Sequence, residues 1–339
     1  MTRLYRTKWA QRTLWTALRL HWCSDRQVTF KSAQGVDVEI TLHQVVRLLP
    51  KLVTNVDLAI STTTHPRLQM SWKLSAFADE ISTDPKLQFS TLERLGVGEI
   101  QLRGAWGRNV MDLSATELKD LRTLASSHGL GFHAIGSPLG KTNISENAQL
   151  SLEGVRSAAD AAHAVGTERI RIFSFYRDSN VSPEDIRSNV IDQLGAMAEI
   201  ADECGVTLIH ENERDIYGDT GDRCLDLAEN LPKIGHCFDF SNFVQCGEDT
   251  LECWNKLRDF VVYFDVKDAI AASGKVVPAG EGDGHLKEIF RSAIESGYDD
   301  RFNLEPHLSG GGQFRGSTSP ELFVVAVNAL NKVLTQVGN

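Results

Sequence analysis

Two runs decide the fold: Val206-Thr-Leu-Ile-His-Glu211 is a short apolar segment that ends on a carboxylate, and Ile234-Gly-His-Cys-Phe-Asp239 repeats the form. It returns in Val261-Val-Tyr-Phe-Asp265 and Arg301-Phe-Asn-Leu-Glu305. Each run has the length of a strand, and each is followed by a loop and a helical pattern. Parallel neighbours in one sheet put their carboxyl ends on one rim, so Glu211, Asp239, Asp265 and Glu305 converge there. Each carboxylate disfavours ionisation of the others. A bound divalent cation is the simplest reason for such a gathering. A single strand-end acid reads more simply as a helix cap or a partner for Lys or Arg, but four in consecutive units favour the cation.

The same alternation extends upstream. Strands are expected at 74–78, 98–103, 130–136, 168–174, 206–211, 234–239, 261–266 and 301–305, each with a helical stretch after it. Helix starts are marked by the capping box Ser114-Ala-Thr-Glu117, by Ser182-Pro183 and by Thr318-Ser-Pro-Glu321. Helix stops are marked by Gly96, Gly129, Gly166, Gly205 and Gly297. Eight such units with right-handed crossovers close into a (β/α)8 TIM barrel of the α/β class. An open doubly wound sheet is the alternative. Its glycine-rich first turn is missing, because the first turn here is Ala78-Asp-Glu-Ile-Ser-Thr-Asp84.

The barrel is expected over residues 71–339 and an N-terminal extension over 1–70. The extension carries ten Lys/Arg and four Asp/Glu, and the rest of the chain 25 and 41, so a basic leader precedes an acidic body. Three of the six tryptophans (Trp9, Trp15 and Trp22) lie in the first 24 residues, which hold no acid. The segment reads as a transit peptide, a small accessory region, or irregular upstream sequence translated from too early a start. The last is favoured, because the segment has neither an amphipathic period nor an apolar h-region, and Met70 stands directly before the first strand. The acidic body argues against nucleic acid, whose binding runs on phosphate neutralisation. No apolar run approaches the ~20 residues that span a bilayer. The six cysteines form no CxxC pair and no zinc-finger spacing, which fits reduced thiols in a cytoplasmic protein.

In a barrel, the active site lies at the carboxyl ends of the strands. Four carboxylates in one cup suit a hard octahedral ion, Mn²⁺ or Mg²⁺. Lys267 lies two residues after Asp265 and so shares its face. Arg103 ends strand two, His133 lies in strand three, and Lys141 follows it; these add polar reach for a substrate. Asp268 reads as a loop partner, and His210 as turned away from Glu211. Gly280-Glu-Gly-Asp-Gly284 reads either as a backbone cradle for a phosphate or as a helix-entry turn. Ser309-Gly-Gly-Gly312 reads as a lid or hinge.

These residues resemble the sugar phosphate isomerase/epimerase family with the xylose isomerase-like TIM barrel. The resemblance covers about residues 73–335. It rests on His210-Glu-Asn-Glu213, Phe238-Asp-Phe-Ser-Asn-Phe243, Tyr263-Phe-Asp-Val-Lys-Asp268, Val277-Pro-Ala-Gly-Glu-Gly-Asp-Gly284 and Leu304-Glu-Pro-His-Leu308. It implies a metal held by a Glu, an Asp, a His and a Glu ending strands five to eight. Glu211, Asp239 and Glu305 match, whereas Asp265 stands in place of the His. Asn242 stands where many members carry a further His. Carboxylate for imidazole moves the preference from Zn²⁺ and Co²⁺ towards Mg²⁺ or Mn²⁺. The resemblance implies an isomerase or epimerase of sugars, sugar phosphates or polyols working through an enediolate. Glu211 and Glu305 then exchange the proton, and Lys267 and Arg103 hold substrate oxygens. A dehydratase using the same residues, or a degenerate barrel that only binds a sugar, is the alternative. A DNA-repair nuclease of related barrel type needs many His ligands, which this rim lacks. The expected partner is a small sugar or polyol, with a homo-oligomer allowed. If residues 1–69 are upstream sequence, mass spectrometry of the native protein will find no peptide from them; one such peptide overturns that reading.

Overall fold

Four acids share a rim only if their strands are parallel neighbours, and in the computed structural model they are. Residues 28–31, 37–40, 72–310 and 316–338 are described. The chain divides into two compact units, Met1–Gln69 and Met70–Asn339. In the first, Val28–Lys31 pairs antiparallel with Asp37–Ile40. The rest of the expected extension, and Gly311 and Gly312 of the glycine run, lie outside the described residues.

In the second unit eight strands close a barrel in chain order. They are β1 (Lys73–Ala76), β2 (Glu99–Leu102), β3 (Gly131–Gly136), β4 (Arg169–Ile172), β5 (Thr207–Glu211), β6 (Gly235–Asp239), β7 (Val261–Val266) and β8 (Arg301–Leu304). All their pairings are parallel. The helices are α1 (Pro85–Leu95), α2 (Ala115–Ser127), α3 (Ala148–Val165), α4 (Pro183–Glu203), α5 (Gly221–Asn230), α6 (Phe240–Gln245), α7 (Thr250–Leu257), α8 (Leu286–Glu295) and α9 (Pro320–Val337). None of the described helices is long and apolar enough to cross a membrane.

The expected punctuation does its work. Ser114 and Glu117 form the reciprocal cap of α2, and Ser182 with Asp185 does the same for α4. Ser319 rather than Thr318 caps α9, with Pro320 in its first turn. The five helix-stop glycines all adopt positive φ. Two expectations shift. The helix between β6 and β7 is two helices, because Asp239 caps α6 directly and Gly247 turns the chain at φ 80°. The strand expected over 168–174 ends at Ile172, because the backbone N–H groups of Phe173 and Phe175 donate to Leu139 and Gly140 in the loop after β3.

Strand alternation sorts the side chains into two interiors. Outward residues such as Ile100, Ile135, Ile170, Leu208, Phe238, Phe264 and Phe302 join the helices in the main core. The inward apolar layer is thin, made of Ile209, Cys237 and Tyr263. Above it the barrel is polar and buried, with Ser75, Gln101, Arg171, Asp239, Asp265, Asn303 and Glu305. Below it, two bidentate pairs close the amino-terminal mouth: Arg169 to Asp300 at 2.8 and 2.7 Å, and Arg301 to Glu99 at 2.7 and 2.8 Å.

His210 and His236 face outward from β5 and β6 with ring centroids 5.5 Å apart. Burial holds both below the ordinary histidine range, His236 at about 4, and the His236 ring further opposes protonation of His210. The unfolded chain takes up these protons at an ordinary pKa near ~6.5 and the folded chain resists them. Stability is therefore complete above about pH 6.5 and falls as the pH drops towards 4, by up to ~1.4 kcal/mol per pH unit for each ring. Urea unfolding at about pH 7, 5.5 and 4.5 will show this slope, and His236→Phe will make it shallower. An unchanged slope in the variant removes His236 from the account.

Candidate active site

The sheet register builds the site. Asp239 pairs with Asp265, Asp265 with Asn303, and Glu305 follows one step beyond the β8 ladder. Glu211, Asp265 and Glu305 each bring an oxygen within 4.8 Å of the others, and all three are buried. Asp239 stands beside them. Its Oδ1 accepts the Asn242 backbone N–H at 2.8 Å, and its Oδ2 lies 2.7 Å from Lys267 Nζ.

Two like charges about 5 Å apart repel by ~3 kcal/mol at an effective dielectric near 20, so this cluster needs compensation. Lys267 lies between Asp239 and Glu305, with Nζ 2.9 Å from Glu305 Oε2. Arg171 Nη1 donates to Glu211 Oε2 at 2.7 Å. Arg103 reaches Asp79 Oδ2 at 2.8 Å and Glu305 Oε1 at 3.0 Å. Of the four acids, Asp265 has no cation in contact among the described residues. Its Oδ1 accepts from the Asn303 amide at 2.6 Å, and its Oδ2 is buried with no hydrogen-bond partner among the described residues.

These surroundings split the acids. Burial pushes the Asp265 carboxyl well up, and Glu211 and Glu305 push it further. Burial also raises Glu211 and Asp239, against the pull of Arg171 and Lys267 respectively. Burial opposes the charge on Glu305 too, but Lys267, His307 and Arg103 together hold it well below the carboxylate range.

A cavity of about 760 Å³ opens on this cluster, and of the four acids Glu305 lines it. Arg103, Lys141 and Lys267 line it as the sequence suggests. His133 does not. A register shift between β2 and β3 leaves His133 as the extra residue, facing into the barrel edge-on to Tyr263 at 4.9 Å. It lies towards the amino-terminal mouth, where burial, then Arg169 and Arg301, lower it to about 3. The Gly280–Gly284 loop is not an open phosphate cradle either. The N–H groups of Gly280, Gly282 and Gly284 all donate to the Asp268 carboxylate at 2.9–3.0 Å, so the cradle holds the chain's own anion.

Sequence reasoning missed Arg171, Glu80 and the site position of His307. Arg171 had a signal, since Arg169-Ile-Arg-Ile172 alternates. Glu80 had none: it sits in the 3-10 turn Ala78–Glu80, and its Oε2 receives the His307 backbone N–H and the Thr318 hydroxyl. His307 Nε2 lies 3.3 Å from both Glu80 Oε1 and Glu305 Oε1, in a left-handed backbone conformation (φ 48°).

A closed parallel barrel with a cup of acids at its carboxyl rim defines the class. The chain belongs to the family of xylose isomerase-like TIM barrels, whose profile matches residues 89–324. No curated protein matches the sequence. The fold is similar to that of a D-tagatose 3-epimerase-like protein, at 18% identity and TM-score 0.64, over 78% of this chain and 98% of that one. It is similar to the probable 3-DHS dehydratase AsbF of Bacillus anthracis, at 17% and 0.60, over 77% and 99%. It is also similar to a xylose isomerase-like TIM barrel protein of Mycobacterium smegmatis in complex with magnesium, at 18% and 0.60, over 79% and 98%.

Asp268→Asn will keep one acceptor but set an amide against the remaining glycine N–H groups. The expected cost is ~2–3 kcal/mol in urea unfolding, with faster proteolytic cleavage between residues 279 and 285. Unchanged cleavage shows that the loop does not depend on this carboxylate.

Proposed function

We propose that this barrel is a metal-dependent isomerase or epimerase of sugars, sugar phosphates or polyols. The observation that carries the reading is Asp265: a buried carboxylate with an unpartnered oxygen, within 4.8 Å of Glu211 and Glu305 oxygens. A hard divalent cation, Mg²⁺ or Mn²⁺, fits an all-carboxylate donor set and removes the repulsion that burial makes costly. Glu211, Asp265 and Glu305 would hold it, with Asp239 adjacent, and Asp265 takes the place of the family's histidine. The magnesium in the Mycobacterium smegmatis barrel supports the ion class. The D-tagatose 3-epimerase-like neighbour supports the substrate class.

When bound, the cation polarises a carbonyl and makes the proton beside it easier to remove. The protein's own residues do the rest. Glu211 and Glu305 stand on different strands, one to take the proton from that carbon and the other to return one to the enediolate from the far side. Lys267 and Arg103 hold substrate oxygens. Glu211, Asp239 and Asp265 are each under 2% exposed, and this burial excludes water and preserves carboxylate basicity.

Elemental analysis of the full chain after chelation and reloading is expected to find about one equivalent of Mn²⁺ or Mg²⁺. Glu211→Gln and Asp265→Asn will each lose most of it while keeping the wild-type unfolding midpoint within a few degrees. Turnover of an active ketose in D₂O will place deuterium beside the carbonyl. A product lighter by one water points to the dehydratase instead, in keeping with the AsbF neighbour. No metal after reloading leaves a sugar-binding barrel in which Lys267 has taken the cation's place.

A further inference from the structure

The His307 ring stands between two carboxylates. Its Nε2 lies 3.3 Å from Glu80 Oε1, in the turn after β1, and 3.3 Å from Glu305 Oε1, just beyond β8. Glu80 Oε1 and His307 Nε2 are both buried, and neither has a hydrogen-bond partner among the described residues. The two oxygens therefore flank the ring nitrogen without lying on its N–H line. A proton shared between imidazole and carboxylate asks for about 2.7–2.9 Å along that line. A cation seated on the line leaves its other ligands to the sides, and tetrahedral bonds of about 2.0–2.2 Å set neighbouring donors roughly 3.3–3.5 Å apart. The observed spacing matches the second case.

The chain fixes these donors from several sides. Glu80 is 3% exposed, and its Oε2 accepts the His307 backbone N–H at 2.9 Å and the Thr318 hydroxyl at 2.7 Å, which leaves Oε1 for the ring. His307 holds a left-handed backbone that residues other than glycine seldom take (φ 48°). A Cβ at Gly316 would stand 1.9 Å from its Cδ2 and Nε2, so glycine there makes room for the ring. His307 and Glu305 also line the 760 Å³ cavity, which gives an ion a way in. Arg103 approaches from β2, bound to Asp79 at 2.8 Å and Glu305 Oε1 at 3.0 Å, but its Nη2 stays 3.9 Å from Glu80 Oε1. Asp79, Glu80 and Glu305 thus share one arginine, while Lys267 is divided between Glu305 and Asp239.

We propose that Glu80, Glu305 and His307 form a second cation site, beside the Glu211, Asp265 and Glu305 group and sharing Glu305 with it. The three donor atoms lie within 4.8 Å of one another. Two carboxylates and an imidazole suit a borderline ion of the Zn²⁺ or Co²⁺ class with a water as fourth ligand, whereas the all-carboxylate group favours Mg²⁺ or Mn²⁺. The two sites therefore select different ions. This assignment rests on the geometry around His307 and not on the isomerase reading.

The full chain, stripped with chelator, tests it by titration with Zn²⁺ and Co²⁺ and elemental analysis. Asp265→Asn removes a ligand of the first group only, so it is expected to lose Mn²⁺ or Mg²⁺ and still take up about one Zn²⁺. His307→Asn, added to that variant, is expected to weaken this Zn²⁺ at least about a hundredfold, beyond the roughly 10–100-fold lost with a residue that only orients a ligand. Asparagine accepts the left-handed backbone, so the substitution adds no strain there. Glu80→Gln in the same background gives a second reading from another element. Co²⁺ reports the imidazole site directly: a tetrahedral visible band is expected in Asp265→Asn and absent once His307→Asn is added. Zn²⁺ bound through His307 in a chain that takes up no Mn²⁺ or Mg²⁺ leaves this site standing and removes the metal–sugar reading. Zn²⁺ binding that His307→Asn leaves intact, or none at all on Asp265→Asn, overturns the second site and leaves His307 as an ion-pair partner of the two carboxylates.

Discussion

Uncompensated negative charge inside the barrel is the constraint on which the rest of the site depends. Parallel pairing carries Glu211, Asp239, Asp265 and Glu305 to one end of the sheet, whatever their mutual repulsion. Three cations answer them: Lys267 on Asp239 and Glu305, Arg171 on Glu211, and Arg103 on Glu305. Asp265 receives the Asn303 amide and, among the described residues, no cation. One buried carboxylate is thus left without a cation in contact among the described residues, and the proposed metal site rests on that difference.

The scaffold tolerates this because its stability comes from elsewhere. The main core lies between strands and helices, where Phe238, Phe264, Phe290 and Phe302 pack ring against ring. The barrel lumen contributes only a thin apolar layer at Ile209, Cys237 and Tyr263. Polar chemistry can fill the upper lumen without dissolving the fold, and the arginine–carboxylate forks at the lower mouth hold the strand ends in register.

Loops after the strands carry the adjustable parts. Asp268 gathers the N–H groups of its own downstream loop, fixing the end of β7 that presents Asp265 and Lys267. Glu80 does the same between β1 and β8, binding the His307 backbone and Thr318 so that His307 leans on Glu305. In both cases a buried carboxylate spends its lone pairs on backbone and hydroxyl donors and so positions a neighbour at the rim.

The strand–helix alternation, the helix caps, the glycine stops and the four strand-end acids were legible in the chain, because each depends on local spacing or on the backbone preferences of one residue. Lys267 was legible from period-two alternation beside Asp265. The placement of His133 was not, since a one-residue register shift between β2 and β3 decides it. Nor was the filling of the Gly280–Gly284 cradle by Asp268, which needs two segments twelve to sixteen residues apart to meet. The sequence alone determined the barrel and the gathering of acids. Only the tertiary structure decided which acid each cation meets, because charge pairing across strands depends on distances between residues that no local pattern encodes.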